Sequence, residues 1–410
     1  MLLVRSKRIL FLVVMLFCSR LSGTEIDLMH WWSSPAEQEL VSLLAKELKQ
    51  RDMELSKSGM AGVDFQSYFS LLTERLQQGR PPDFAQLSGH RVQPAHLRDI
   101  AYPEAEPGWN DWIPLGIQQT AKQGDRWFAV PVSVHAINWL WVNAALWQQL
   151  ESRPPDNWQE LLSVLQQARD KGWIPLAISG SNWNISVLFS VVAIDVLGAD
   201  HYRRILIERR LQAGDDIRLQ RIFRRMNTLR SFVPDNYQSL TPQDAMALMQ
   251  SGRALMQLQG TWANAALTGA GWEPGRDFEC FHFPGTQAMP IFISDLMVSY
   301  QHSPASPQDK QRFTDTIINR DFQKRWSLIS GGIPARVDIS LDGFNDCSRK
   351  VISNMRMSHM RGTVVSFRYE HREQIEQVIM HHFNQQLSDD AAVAQLMEVL
   401  SSPAATDVKA

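Results

Sequence analysis

The chain has 410 residues, 44% hydrophobic and 20% charged, with 41 Lys and Arg against 43 Asp and Glu and 3 cysteines. That is ordinary globular composition, too long for one compact core, so two domains are the default expectation. A chain this close to neutral is not built to bind nucleic acid.

Residues 1–23 stand apart. Arg5, Lys7 and Arg8 precede an apolar run from Ile9 to Phe17, and the small residues Ser22 and Gly23 follow. This is a signal-peptide pattern, too short for a membrane span. Phe17 is a poor neighbour for a lipoprotein cysteine at Cys18, so cleavage is expected near Gly23, with a periplasmic product. Cleavage removes four cations (Arg5, Lys7, Arg8, Arg20) and no acid, leaving 37 cations against 43 acids, a mature charge of −6. No later stretch reads as long and apolar enough to cross a bilayer.

"EIDLMH" (25–30) reads as a short buried strand. Ser34 then caps a helix, with Pro35 at its first position, Glu37 completing a capping box, and Leu40, Leu44 and Leu48 on one face. A second helix ends near Gly79, and a Pro-Pro break leads to the strand "DFAQLS". This alternation predicts a mostly parallel α/β sheet in the first third. The run 125–143, "DRWFAVPVSVHAINWLWVN", is too long for one ordinary strand, is interrupted by Pro131, and can carry the chain from one domain into the other. Asn157 and Glu160 form a second capping box. In 202–230 nine arginines crowd one or two helices, and a solvated face is the plainer reading than a partner surface. A helix, Gly252, a strand and the turn "QGTW" follow. The run 288–301 reads as a returning strand, and the remainder is helical with a break at "SGGIPARVD". Cys280 and Cys347 are an isolated pair, better suited to a disulfide in an oxidising compartment than to a metal or catalytic site. Their spacing does not prove that they meet.

"HWWSSPAE", "PPDFAQLSG", "FAVPVSVHAINWLWVN", "SNWNISVLFSVVAIDVLG", "MQLQGTW", "DFECFHFPGTQ", "FISD" and "GGIPARVD" occur in this order over nearly the whole mature chain. Together they resemble the periplasmic sugar-binding proteins of ABC transporters, the maltose-binding-like class, and within it the glucose-binding subgroup. The resemblance implies an α/β fold of two lobes joined by crossing segments, with a sugar in the cleft between them. It places 24–133 and 294–345 in an N-terminal lobe, and 134–293 with 346–410 in a C-terminal lobe. It also implies that Cys280 and Cys347 are bonded, since close relatives carry cysteines at both places.

A tryptophan face suits the C–H face of a pyranose, while the hydroxyls need polar partners at the ring edge. By the resemblance Trp31, Trp32 and Glu37 are sugar contacts, at the carboxyl end of the first strand where open α/β sheets bind ligands. Glu37 reads equally as the capping acid. Gln86 lines the first lobe's side, Trp262 stacks from the second, and Asp295 accepts hydroxyl protons. Trp183 and His135 are further candidates, beside the readings of a core tryptophan and a hinge histidine. The chain departs from the glucose-binding pattern at Ser88, Ser330 and Ser366, where a basic residue, a lysine and a histidine are expected. It departs again at Ile293 and Thr261, where an asparagine and an acid are expected.

A charged hydrogen bond to a hydroxyl is worth about 1.5–3 kcal/mol, so these changes put glucose itself in question. The ligand is expected to be a neutral mono- or oligosaccharide, taken up by hinge closure and delivered to a membrane permease. A sugar-sensing subunit for a membrane receptor or kinase is the alternative, as is a paralogue with altered or lost binding. The protein is expected to be a monomer, with no metal and no organic cofactor. Glu37 and Asp295 are the only carboxylate pair this reading suggests for a glycoside hydrolase, nothing places them on opposite sides of a scissile bond, and HExxH, GxSxG, P-loop and dinucleotide motifs are absent, so no enzyme activity is expected.

Overall fold

The computed structural model describes residues 23–56, 65–89, 92, 94–150, 152–357, 363–364 and 369–402. The expected leader up to Ser22, and Ser366, lie outside the described residues. The opening strand is two short pieces, β1 (Thr24–Ile26) and β2 (Leu28–Met29), broken where the Asp27 N–H donates to the Asp83 carboxylate. Helix α1 (Pro35–Lys49) starts as read: Ser34 and Glu37 form the full capping box, and Leu40, Leu44 and Leu48 are buried. β3 (Met53–Leu55), α2 (Phe65–Gln77) and β4 (Phe84–Ser88) follow, with β1 parallel to β3 and β2 parallel to β4.

The long run divides into β5 (Val130–Ala136) and β6 (Trp139–Asn143), which belong to different sheets. Beyond it come α3 (Trp158–Asp170), β7 (Ile174–Ala177), α4 (Asn182–Tyr202), α5 (Asp215–Arg230), α6 (Pro242–Gln250), β8 (Ala254–Gln259), α7 (Trp262–Gly269) and β9 (Phe278–His282). Then β10 (Ile291–Tyr300), α8 (Pro307–Ile318), α9 (Arg320–Ser330), β11 (Ile333–Pro334), α10 (Asp346–Met357), α11 (Tyr369–Phe383) and α12 (Asp389–Ser401) complete the described chain.

The first sheet runs β11-β5-β10-β4-β2, and the short strands Ile100–Ala101 and Thr363–Val364 also pair with β10. It is mixed rather than mostly parallel. β10 lies antiparallel to both β4 and β5, because it enters from the second sheet's side and runs back between strands laid down earlier. Pro131 has no N–H for the ladder, and the pairing slips there: Asp295 faces Ser133 while Leu296 faces Pro131, a β-bulge beside Asp295. The second sheet runs β7-β8-β6-β9, with α10 held to β9 by a Cys280–Cys347 disulfide whose Cα atoms are 5.9 Å apart.

Among the described residues two passages lead directly from a strand of one sheet to a strand of the other, at Ile137–Asn138 and at 283–290. They are tied to each other. The Ile137 N–H donates to the Ile291 carbonyl at 2.9 Å. The fully buried Asn138 donates through Nδ2 to Thr286 Oγ1 at 2.9 Å and the Met289 carbonyl at 3.2 Å, while its Oδ1 accepts the Ile291 N–H at 3.3 Å.

Three further sequence expectations need correction. Asn157 caps α3, but the Glu160 carboxylate turns to the Asp156 N–H and to Arg153, so the reciprocal half of the box is missing. The segment Asn182–Ile207 is long and apolar enough to cross a membrane by length and composition. Its most apolar window is 67% buried against the second sheet and α5, which makes it a core helix. The arginines of 202–230 also do more than coat a surface. Arg204 grips the buried Asp215 at 2.7 Å, Arg225 pairs with Asp195 over the Trp158 ring, and Arg209 donates to the Leu400 carbonyl at 3.1 Å.

Removing the Asn138 side chain strands buried donors and acceptors on both passages, at about 1–3 kcal/mol for each group left unpaired. Asn138→Ala is therefore expected to lower the urea midpoint with an unchanged m-value, and equilibrium denaturation followed by tryptophan fluorescence measures it.

Candidate functional site

Directly opposed residues on neighbouring strands point to the same face, so the register places side chains in rows. Ser88, Asp295, Ser133 and Pro334 form one row across β4, β10, β5 and β11. Ile293 and His135 form the next row towards the carboxyl end of β5, and Gln86 and Met297 the row on the other side. A polar strip thus crosses the sheet.

Asp295 is the centre of this strip and is 7% exposed. Its Oδ2 accepts from Ser133 Oγ at 3.2 Å and lies 3.4 Å from His135 Nε2. The other imidazole nitrogen, Nδ1, is 3.0 Å from Thr261 Oγ1, just ahead of α7. The Trp262 ring meets the imidazole at 5.4 Å, edge to face, and its Nε1–H donates to Gln259 Oε1 at 3.0 Å. The Thr261 N–H donates to the Ala136 carbonyl at 3.0 Å. A chain of contacts therefore runs from Asp295 in the first sheet through His135 to the first turn of α7, the helix that follows β8 of the second sheet. Tight backbone packing frames it: a Cβ on Gly260 would meet the Trp262 ring at 2.3 Å, and one on Gly331, at φ +67°, would meet the Thr261 carbonyl oxygen at 2.6 Å.

A second group lies at the carboxyl ends of β2 and β4. Trp31 is half-buried, its N–H 3.4 Å from Gln86 Oε1 and its ring edge-on to Tyr68 at 5.2 Å. Gln86 is fully buried, and its Nε2 has no hydrogen-bond partner. The Nδ1 of buried His30 also lacks a partner, and burial pushes this histidine down to about 4.

Of the eight residues expected from sequence, His135, Asp295 and Trp262 come together, as do Trp31 and Gln86. Trp32 does not offer a stacking face: it is 3% exposed, turned inward between His30 at 5.1 Å and Trp326 at 4.9 Å. Turning inward lets its bulk fill the space between the first strand and α9. The Glu37 carboxylate is occupied by the N–H groups of Ser33 and Ser34 at 3.0 and 2.8 Å. Trp183 packs in the first turn of α4 among the partly buried residues of the second core. Ser330 is turned onto its own chain and accepts the Gly332 N–H at 3.0 Å. Sequence reading missed Ser133, whose signal was its place two residues before His135 on one strand face. It took Thr261 only as a lost acid. Among the described residues no group of three His, Cys, Asp or Glu is arranged to hold a metal ion.

A family model described as "Bacterial extracellular solute-binding protein" matches residues 61–300. A "Probable sugar-binding periplasmic protein" of Brucella suis is 28% identical over 388 residues, covering 92% of each chain. A protein of the same description from Rhizobium meliloti is also 28% identical, over 93% of this chain and 94% of its own. Among solved structures, the solute receptor AcbH, whose title gives a preference for β-D-galactopyranose, superposes with a TM-score of 0.79 at 15% identity, over 94% of this chain and all of that one. Maltose-bound MalE3 of T. maritima gives 0.74 at 14%, over 92% and 99%. At these identities the two structures speak to the fold, an α/β architecture of two lobes.

Two outcomes follow for stability. Trp32→Ala is expected to cost about 3–5 kcal/mol of unfolding free energy, as for other buried aromatic truncations, and chemical denaturation reads it directly. His30, His96 and His282 are each pushed by burial down to about 4 from 6.5. The unfolded chain therefore takes up their protons first. Their contribution is fully present above about pH 6.5 and is lost as pH falls towards 4, at about 1.4 kcal/mol per pH unit for each histidine. Urea titrations at stepped pH should show that slope, and His30→Gln should flatten it.

Proposed function

The chain belongs to the bacterial extracellular solute-binding family, and from that membership we propose that it is the periplasmic, sugar-binding subunit of an ABC transporter. The carrying observation is the contact chain Asp295–His135–Thr261, with Trp262 against the imidazole, which brings residues of both sheets to one place. A pyranose needs an apolar face against its C–H groups and acceptors for its hydroxyls. Trp262 and the half-buried Trp31 supply the faces, with Trp183 as a further wall from the second lobe. Asp295 and Gln86 supply polar partners, and the unpaired Gln86 amide is a donor suited to a ring hydroxyl. Trp32 supports Trp31 from the core, and Glu37 fixes the turn that presents it.

The first lobe comprises residues 24–136, β10 and the chain to about 345. The second comprises 138–290 with α10, α11 and α12. A sugar held on one lobe favours the form in which the other has closed over it, and a membrane permease can recognise that closed shape. Delivery of a bound solute fits a monomer that binds its ligand without transforming it.

Isothermal titration of the mature chain, unfolded and refolded to strip carried-over ligand, tests this against glucose, galactose, mannose, xylose and several disaccharides. Saturable heat with at least one sugar is expected. Trp262→Ala should weaken it by about 10- to 100-fold, the loss of about 1.5–3 kcal/mol of ring burial. Small-angle scattering should show compaction with the same sugar. No heat with any sugar overturns the reading.

A further inference from the structure

Away from the Asp295 cluster, a cavity of about 660 Å³ lies at the outer edge of β9, the last strand of the second sheet. One wall is α10, which the Cys280–Cys347 disulfide fixes in place and which contributes Arg349 and Lys350. Pro154, Pro155 and Phe281 form an apolar wall, and Trp139 and His282 complete the lining with their rings 3.9 Å apart.

The donors around this space are under-used. Trp139 is 2% exposed, yet its Nε1–H meets no acceptor, and His282 Nδ1 has no partner either. A buried indole N–H is costly without an acceptor, and the residue that carries it lines a space large enough to admit one. Arg349 donates its Nε to the Phe344 carbonyl at 2.8 Å, which leaves the rest of its guanidinium fork. Lys350 stands 3.9 Å from Glu279, beyond hydrogen-bond reach. Asp156 and Asp346 also line the cavity, so its formal charge is balanced while its hydrogen-bond donors outnumber what they bond.

We propose that this cavity is a second ligand site, distinct from the Asp295 cluster, and that it takes a small aromatic acid. The carboxylate is recognised by Arg349 and Lys350, the flat body lies along Phe281 and the two prolines, and a further acceptor on the ligand meets the Trp139 N–H. Arginine favours a planar carboxylate over a hydroxyl because two parallel N–H groups engage it together. The cavity shares no residue with the polar strip, although Gln287 belongs to the 283–290 passage, and its occupancy is read separately from sugar binding.

The test uses the mature chain and 4-hydroxybenzoate, with 4-hydroxybenzyl alcohol as the neutral isostere. The indole N–H resonance of Trp139, assigned by its loss in Trp139→Phe, should shift saturably with the acid and much less with the alcohol. Arg349→Gln and Lys350→Gln, both at exposed positions, should each weaken the acid by about tenfold. Equilibrium dialysis of the acid against these two variants gives the same comparison if Trp139→Phe does not fold. No binding at millimolar acid overturns the proposal. So does an equal response to the alcohol, affinity unchanged in both variants, or shifts at Trp31 and Trp262 in place of Trp139.

Discussion

A backbone that leaves one sheet for another gives up its ladder partners at the passage, and if the passage is buried its amides must be satisfied on the spot. Asn138 meets that constraint. Its amide has donors and an acceptor at one end, so a single side chain can serve Thr286, Met289 and Ile291 together, while its own carbonyl accepts the Phe283 N–H at 2.8 Å. Aspartate lacks the donors and leucine lacks everything but the volume. With the two passages knotted here, the sheets approach each other at one fixed place, and the residues beside that place are brought within reach of one another.

What lies beside it is the polar strip. Ser133, His135 and Asp295 occupy positions that point to one face on strands meeting at the bulge, which sits where Pro131, without an N–H, enters the ladder. A residue that weakens a ladder is thus found next to the residue whose side chain is re-aimed. The strip is held by short contacts on its first-lobe side and by Thr261 on the other. Its geometry therefore depends on the relation between the sheets, as the proposed cleft site needs.

Much of this was legible in local sequence. The capping box at Ser34, the strand ending at Ser88, the division of the 125–143 run and the returning strand all carry their signals within a few residues. The pairing of Cys280 with Cys347 was favoured by their being an isolated pair in an exported chain and strengthened by the resemblance, since a separation of 67 residues says nothing about proximity. What sequence could not supply was orientation. Trp31 and Trp32 are neighbours of identical type, and only the presence of Trp326 on a helix three hundred residues away decides which one is buried. Glu160 chose Asp156 and Arg153 over its cap because those partners were in place. The apolar segment Asn182–Ile207 has the composition of a membrane span, and only its contacts with α5 and the second sheet show it to be core.

The order of the first sheet has a consequence for how the protein is made. Its central strand is β10, residues 291–300, while β2, β4 and β5 precede it by some 150 to 260 residues of chain. Those earlier strands cannot close their sheet until β10 has been synthesised, and the second sheet is completed in the interval. Contacts of such long range make folding slow, and an unfinished sheet leaves the nascent chain extended for longer than a sequentially built domain of equal size. The delay before this sheet can form is thus written into strand order.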